Sequence, residues 1–292
     1  MLRTGFARAA CPAVFVRCSR LELMKEDRDA TAPPDPRPKR TPDDDALWVE
    51  LRRLTPARIG LTRTGASLAT GPLLDLQLAY ARARDAVHEP LDEQRLVAEL
   101  GTLGLPVLSV ASACKDRHQY LLRPDVGRRL ASGAETTLSQ HTDSNGYDVA
   151  LVVADGLSAR AIQVHAPPVL AGVVPALRAE GCRIAPLVVV RQGRVAVGDT
   201  IASTLRANCA VVLIGERPGL SAPDSMGAYL SWQPGAHTTD ANRNCISNIR
   251  PEGIGYADAA FKLAYLIRAM RSRRTSGVHL KDDSDRLLIG RR

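Results

Sequence analysis

One segment of the chain, residues 210–220 with the sequence AVVLIGERPGL, sets the architecture that we expect for the rest. Its first five residues are apolar and mostly β-branched, which is typical of a strand buried on both faces of a parallel sheet. The run stops at Gly215, and Pro218 cannot continue a ladder of strand hydrogen bonds. Glu216 and Arg217 therefore lie just past the carboxyl end of a core strand, where open α/β sheets bind ligands. A turn with an internal contact between Glu216 and Arg217 explains the same residues without a ligand.

Apolar runs alternate with amphipathic patterns from residue 104 onward. We predict strands over 106–112, 147–154, 184–190, 210–215 and 228–232. We predict helices over 124–138, 158–180, 198–207 and 256–274, the second of them disturbed by Pro167 and Pro168. Strands that alternate with helices imply right-handed crossovers and a parallel sheet. The predicted fold class is therefore α/β, with an open, mostly parallel, Rossmann-like sheet flanked by helices.

The chain before this α/β part divides into an arm and a helical region. Residues 1–44 are rich in charge and proline, so we predict a disordered N-terminal arm. Its first part resembles a targeting presequence in composition, and Met24 is an alternative start of the chain. Apolar periodicity predicts helices over 47–54, 72–88 and 92–101. We therefore expect a small helical N-terminal subdomain over 45–103, followed by the α/β domain over 104–292.

The composition narrows the classes of function. The formal net charge is +8, and residues 1–40 hold nine Lys and Arg against five Asp and Glu. The sequence has no aromatic-plus-basic RNA motif and no zinc-finger spacing, so we expect no nucleic-acid partner. No apolar run is long enough to cross a bilayer, so we expect a soluble chain without a membrane partner. The six cysteines form no C-x-x-C pair, which favours reduced thiols in the cytoplasm.

Three of the predicted strands end in polar loops that contain glycine. These loops are Asp155–Ser158, Arg191–Val195 and Gly215–Pro218. Because the carboxyl ends of parallel strands share one edge of a sheet, the loops could together surround a ligand. Other roles stay open for two of the residues, since Ser158 suits a helix N-cap and Asp155 suits a turn.

The usual catalytic and nucleotide-binding motifs are missing from the sequence. It contains no G-x-G-x-x-G fingerprint, no P-loop, no G-x-S-x-G elbow and no H-E-x-x-H zinc helix. The six histidines are scattered along the chain, which disfavours a metal site. We therefore predict a site that binds a ligand, with no catalytic residue and no metal ligand in this chain.

Five motifs occur together and in order along the chain. They are LRPDVGRRL at 122–130, ADGLSA at 154–159, GRV at 193–195, GERPGL at 215–220 and NCISNI at 244–249. Together they closely resemble the small (light) subunit of ethanolamine ammonia-lyase, over about residues 45–277. The last two motifs are specific to that family, and the residues before 45 are not covered.

The resemblance implies a lyase that depends on adenosylcobalamin and converts ethanolamine to acetaldehyde and ammonia by radical chemistry. In this family the enzyme is active only as a complex, and a large TIM-barrel subunit carries the ethanolamine site. The implied assembly is a hetero-oligomer in which the small subunit closes over the corrin, so residues 104–292 would be a cobalamin-binding domain. The cofactor is expected to bind base-on. His118, in the nearest match to the D-x-H-x-x-G motif, is therefore not expected to bind cobalt.

By motif, the resemblance places cobalamin contacts at Val195, Glu216 and Cys245. The chemistry of these residues is compatible, because the amide side chains of a corrin need hydrogen-bond donors and acceptors rather than ionic clamps. Glu216 can accept from an amide, Val195 offers an apolar wall and backbone groups, and Cys245 is small and polarisable. On chemistry alone, a buried structural thiol explains Cys245 equally well. The spacing between Glu216 and Cys245 is one residue shorter than in enteric relatives, in the loop near 234–239.

A second class of function stays open at this point. The chain could be a free-standing doubly wound binding or regulatory module for another ligand, and a row of strand-end loops alone does not separate the two classes. The two specific motifs favour the enzyme subunit. The expected location is the cytoplasm, with a bacterial microcompartment as a further option, although the N-terminal arm does not match the microcompartment-entry segments of some relatives.

Overall fold

A computed structural model describes residues 42–284 of the chain. In chain order its helices are α1 (Pro42–Arg53), α2 (Thr70–His88), α3 (Glu93–Gly101), α4 (Arg117–Leu122), α5 (Ala134–Ser139), α6 (Ala159–Ala179), α7 (Val197–Thr204) and α8 (Tyr256–Arg273). Its strands are β1 (Arg63–Thr64), β2 (Ser67–Leu68), β3 (Val107–Ala111), β4 (Tyr147–Ala154), β5 (Leu187–Arg191), β6 (Ala207–Gly215), β7 (Met226–Trp232) and β8 (Arg243–Ile249). Within these residues no helix combines the length and the apolar character needed to cross a bilayer.

Six strands form one sheet in the order β3-β5-β4-β6-β7-β8. The first four are parallel to one another, whereas β7 is antiparallel to β6 and β8 is antiparallel to β7. This arrangement confirms an α/β fold with a mostly parallel sheet. The Rossmann-like detail of the prediction is not confirmed, because the sheet ends in two antiparallel pairings that we did not predict.

The central strands form because they are buried on both faces. In β4 and β6, alternate apolar side chains point to opposite sides of the sheet, as the two-residue period of a strand requires. One side packs on α3, α6 and α8, and the other packs on α5 and α7. Removing a Leu or Val side chain from water stabilises the fold by roughly 1.5–3 kcal/mol. A continuous apolar run such as 210–214 is therefore stable only in the middle of such a sandwich.

The connections bring three strand ends to one edge of the sheet. β4 leads through α6 to β5 on one side, and β5 leads through α7 to β6 on the other side of β4. The helix α6 runs through three internal prolines, which are tolerated because its apolar stripe is anchored on the sheet. The loops that follow β4, β5 and β6 consequently lie side by side.

Several predicted boundaries are wrong for identifiable reasons. The helix predicted over 124–138 is instead a single 3-10 turn and the short α5, because Gly133 adopts a left-handed backbone with φ of +84° and Leu130 bridges to Ser112. The strand predicted from residue 184 begins at Leu187, after Pro186. The helix predicted to residue 207 ends at Thr204, since Ala207 already belongs to β6. The strand β8 and the helix α4 were not predicted.

The predicted N-terminal arm and helical subdomain are not confirmed as separate parts of the structure. Residues 1–41 of the predicted arm lie outside the described residues, and residues 42–44 begin α1. The helical subdomain over 45–103 is not confirmed, because Leu96 and Leu100 of α3 belong to the same core cluster as β4 and β6. From Leu51 onward the described residues form one compact unit.

Candidate functional site

The loops after β4, β5 and β6 surround an open cleft of about 400 Å³, which we call the strand-end cleft. It is lined by Tyr120, Gly156, Leu157, Arg194, Val195, Ile214, Gly215, Glu216, Arg217 and Tyr229. A larger cavity of about 650 Å³ lies at the opposite edge of the sheet, near the amino ends of β4 and β6. That cavity contains none of the predicted site residues. The strand-end cleft is therefore the candidate site.

The floor of the strand-end cleft is made of backbone in very close contact. Leu157 N–H donates to the carbonyl of Gly215 at 2.9 Å, which joins the loop after β4 to the loop after β6. A Cβ atom on Gly215 would lie 2.0 Å from the carbonyl oxygen of Ser158, so only glycine fits there. Ser158 itself caps α6, since its hydroxyl accepts from Ala161 N–H. The N-cap role left open for Ser158 is thus confirmed.

Asp155 connects the loop after β4 to the loop after β5. Its carboxylate is buried and accepts from the backbone N–H groups of Gln192 at 2.9 Å and of Gly193 at 3.1 Å. Burial raises the pKa of this carboxyl group, while these hydrogen bonds and the nearby charge of Arg117 oppose the rise. Asp155 therefore does more than terminate a turn, because it fixes the backbone that carries Val195.

A stack of three side chains supports the same loop. Tyr120 of α4 is fully buried, with the guanidinium carbon of Arg117 4.8 Å from its ring centroid and that of Arg194 4.2 Å away. Its hydroxyl donates to the carbonyl of Gly193 at 3.3 Å, and burial raises the pKa of this phenol. Arg117 Nη1 donates to the carbonyl of Gly156 at 2.7 Å. Sequence reasoning missed this stack, because nothing in the sequence indicates that α4 docks on these loops.

The structure places two of the predicted contacts directly in the strand-end cleft. Val195 is half-buried and packs against the core on the α7 side of the sheet. The Glu216 carboxylate accepts from the Ser225 hydroxyl at 2.7 Å, from the Ser247 hydroxyl and from Asn248 N–H at 3.2 Å. Over residues 42–284 no ion pair joins Glu216 to Arg217. The internal contact considered for this turn is therefore replaced by a link from the loop after β6 to β8.

Cys245 lies beside the strand-end cleft. It occupies β8 directly opposite Tyr229, which lines the cleft. Partial burial, together with the neighbouring Cys245 side chain, raises the pKa of the Tyr229 phenol to about 12. Partial burial also raises the pKa of the Cys245 thiol, although the residue keeps an exposed surface. A buried structural thiol is therefore the wrong interpretation of Cys245.

The segment around His118 has a structural role. Asp116, which opens the partial D-x-H match, caps α4 by accepting from Gln119 N–H at 2.7 Å. His118 itself is exposed on that helix. Across residues 42–284 no group of three or more His, Cys, Asp or Glu side chains is arranged to hold a metal ion.

The fold and the strand-end cleft define an α/β protein that presents a ligand-sized depression at the carboxyl edge of a mostly parallel sheet. A sequence model described as the ethanolamine ammonia-lyase light chain (EutC) matches residues 45–281. The ethanolamine ammonia-lyase small subunit of Ralstonia nicotianae is 53% identical over 249 residues, which cover 84% of this chain and 92% of that protein. The small subunits from Pseudomonas putida and Azotobacter vinelandii are each 53% identical over 248 residues, 84% of this chain and 91% and 92% of theirs. The chain therefore belongs to the family of ethanolamine ammonia-lyase small subunits.

Proposed function

We propose that this chain acts with a large subunit to bind adenosylcobalamin in its base-on form and to convert ethanolamine to acetaldehyde and ammonia. Membership of the family supports the lyase activity, and the name small subunit supports a larger partner. The ethanolamine site is assigned to that partner, a TIM-barrel subunit, within a hetero-oligomer. The observation that carries the cofactor proposal is the convergence of Val195, Glu216 and the Cys245–Tyr229 pair at one edge of the sheet.

The residues of the strand-end cleft fit one edge of a corrin. A macrocycle with amide side chains needs hydrogen-bond donors, acceptors and an apolar wall in one surface. Glu216 supplies an acceptor and Val195 an apolar wall. Arg194 supplies a donor, because it lines the cleft and its Nη1 forms no hydrogen bond in the described part of the chain, where its Nη2 donates to the Tyr120 carbonyl. The cleft is open and small, which suits a cofactor that a second subunit encloses from the other side.

Adenosylcobalamin supplies the radical chemistry when it is bound, and the residues of this chain orient it. A carboxylate has about four acceptor positions, of which Glu216 uses three for Ser225, Ser247 and Asn248. The remaining position can accept from an amide NH2 group of the ligand. Asp155 and the stack around Tyr120 hold the backbone just before Val195 in place.

Two further expectations belong to the same proposal. The complex is assigned to the cytoplasm, and a bacterial microcompartment stays a prediction. The alternative of a free-standing binding module gains no support. The three relatives described above, whose matches cover 84% of this chain, are each named as a subunit of an enzyme. His118 is not assigned to cobalt, since base-on binding needs no protein ligand.

Reconstitution tests the proposal. The purified chain, the large subunit encoded by the same genome and adenosylcobalamin should together release acetaldehyde from ethanolamine, whereas each protein alone with the cofactor should not. Turnover by this chain without the partner would contradict the division of labour. A stable two-subunit complex that retains no cobalamin after free cofactor is removed by gel filtration would contradict the cofactor assignment.

A further inference from the structure

Arg194 lines the strand-end cleft and is the middle residue of the GRV motif, but the motif assigned a cofactor contact only to Val195. It lies between Gly193 and Val195 in the loop after β5, and its side chain is half-buried. The backbone here is held by two hydrogen bonds, since Gly193 N–H donates to Asp155 and Arg194 N–H donates to the carbonyl of Gly127 at 2.8 Å. The backbone of this arginine is therefore held at the wall of the cleft.

The guanidinium of Arg194 is also held in one position. It stacks on the Tyr120 ring with its carbon 4.2 Å from the centroid, and its Nη2 donates to the Tyr120 carbonyl at 3.0 Å. The stem packs tightly on Gly127, where an added Cβ would lie 3.0 Å from Arg194 Cγ. An arginine fixed in this way loses little conformational freedom when a ligand binds.

The hydrogen-bonding capacity of this guanidinium is only partly used. Its Nε is buried and has no hydrogen-bond partner within residues 42–284, and no carboxylate there forms an ion pair with it. Its Nη1 also forms no hydrogen bond within these residues, and since buried donors in folded proteins are normally paired, the guanidinium has capacity left for an acceptor in the cleft. A second guanidinium, that of Arg117, also stacks on Tyr120 and also has a buried nitrogen, Nη2, without a partner in the described residues. This corner of the site therefore carries excess positive charge beside the single buried carboxylate of Asp155.

We propose that Arg194 is a ligand-binding residue whose guanidinium donates to an oxygen acceptor of the cofactor in the strand-end cleft. The inference rests on the proposed function and assigns it one more contact. Two acceptors on cobalamin share the required chemistry: the carbonyl oxygens of the corrin amides and the phosphodiester of the nucleotide loop. Arginine donates well to both kinds of oxygen.

The test uses the complex with the large subunit and quantifies bound cobalamin by its absorbance after free cofactor has been removed by ultrafiltration. Arg194→Met keeps the length of the stem but removes the donors, and we expect the Kd for adenosylcobalamin to rise roughly ten- to hundredfold. Arg178→Met is the matched control, because Arg178 is exposed on α6 and donates to the carbonyl of Gly104. This control should bind with the wild-type Kd. Thermal melts of each complex show whether the fold survives.

Cobinamide, which keeps the corrin amides but lacks the phosphate, distinguishes the two acceptors. A weaker affinity of Arg194→Met for both ligands assigns the contact to an amide carbonyl, and a loss confined to adenosylcobalamin assigns it to the phosphate. If the Arg194→Met chain does not assemble with the large subunit, Arg194→Lys replaces it in the test. Lysine keeps the positive charge but lacks the guanidinium, so the Kd for adenosylcobalamin should still rise.

The outcome that overturns the contact is an unchanged Kd in an Arg194 variant whose complex melts like the wild type. A wild-type complex that binds no cobalamin would instead overturn the proposed function, and the contact with it. Failure of the Arg194 contact is therefore measured on the variant complex, and failure of the proposed function is measured on the wild-type complex.

Discussion

The inner strand β6 and the outer strand β8 are stabilised by different kinds of contact. Almost every residue of β6 is buried, and its apolar side chains pack on helices from both sides of the sheet. In β8 only two residues are buried, while Cys245, Ser247 and Asn248 are exposed. The hydrophobic effect therefore determines where β6 lies, and β8 depends much more on specific polar contacts.

The polar contacts of β8 come from distant parts of the chain. At its start, the Arg243 guanidinium forms a two-pronged, nearly buried ion pair with Asp199 of α7, with one nitrogen–oxygen distance of 2.7 Å. At the next residue, the Asn244 side chain donates to the carbonyl of Leu280 at 2.7 Å. At its end, Ser247 donates to Glu216. The proposed cofactor surface therefore has two parts. The part formed by the loop after β6 rests on a buried apolar strand, whereas the part formed by β8 depends on polar contacts that single substitutions can remove.

The largest effect should come from breaking the buried ion pair. Arg243→Met leaves the carboxylate of Asp199 buried without a partner, and removing one member of such a pair destabilises a protein by about 3–5 kcal/mol. Urea unfolding of the full chain measures the loss. Cobalamin affinity of the reconstituted complex should fall as well, because β8 carries Cys245.

A double variant separates the charge from the packing. In Asp199→Leu/Arg243→Met both partners are apolar, and such replacements are often close to neutral. Most of the lost stability should therefore return in the double variant. An Arg243→Met chain that unfolds at the same urea concentration as the wild type would show that β8 is held by its apolar contacts after all.

The same contrast explains what the sequence could reveal about the fold. The strand β4 matches its predicted bounds over 147–154 because its continuous apolar run at 149–154 has few other stable environments. β8 was missed because its sequence, RNCISNI, is mostly polar, and its main partners Asp199 and Glu216 lie far away along the chain. Tertiary contacts of this kind leave no local pattern.

The residues of the site also divide into those that the sequence predicted and those that it did not. Glu216 and Val195 were predicted because they follow core strands and belong to family motifs, and the structure places both in the strand-end cleft. The supporting roles of Asp155, Tyr120 and Arg117 were not predicted. They depend on the docking of α4 against the loops after β4 and β5, which only the folded chain brings together.

An intermediate effect is expected for Glu216, which follows β6 and accepts hydrogen bonds from β8. Glu216→Ala should weaken cobalamin binding by about 1.5–3 kcal/mol, the usual contribution of a hydrogen bond to a charged group, or roughly ten- to hundredfold in Kd. The same substitution should lower the melting temperature, because Ser225, Ser247 and Asn248 all lose their acceptor. Absorbance titration of the complex and a thermal melt give the two quantities.

Ser225→Ala is the control for the structural part of this effect. It removes one hydrogen bond to Glu216 from a buried side chain and should cost about 1 kcal/mol of stability. Its cobalamin Kd should stay within a few-fold of the wild type. If Ser225→Ala and Glu216→Ala weaken cobalamin binding equally, Glu216 only supports β8 and does not contact the ligand.

The smallest effect should be that of Cys245, which contributes packing rather than a strong hydrogen bond. Cys245→Ala removes one sulfur atom from an exposed strand position, and we expect the cobalamin Kd to rise by less than about fivefold, or under about 1 kcal/mol. A more sensitive measurement is the alkylation rate of the thiol, because among the cysteines of residues 42–284 only Cys245 is exposed. A Cys11→Ser/Cys18→Ser background removes the two thiols outside that range.

The pH dependence of alkylation follows from the raised pKa of Cys245. The thiolate is the reactive form, so a raised pKa means less thiolate at neutral pH and a rate that keeps rising beyond the ordinary thiol pKa of about 8.5. Cobalamin bound to the complex should slow the reaction at every pH, because the cofactor would cover the surface shared with Tyr229. The comparison is made between the complex with and without cofactor, so that shielding by the large subunit cancels. Equal rates in the two samples would place Cys245, and with it the exposed face of β8, outside the cofactor surface, and would leave that surface to the loops after the parallel strands alone.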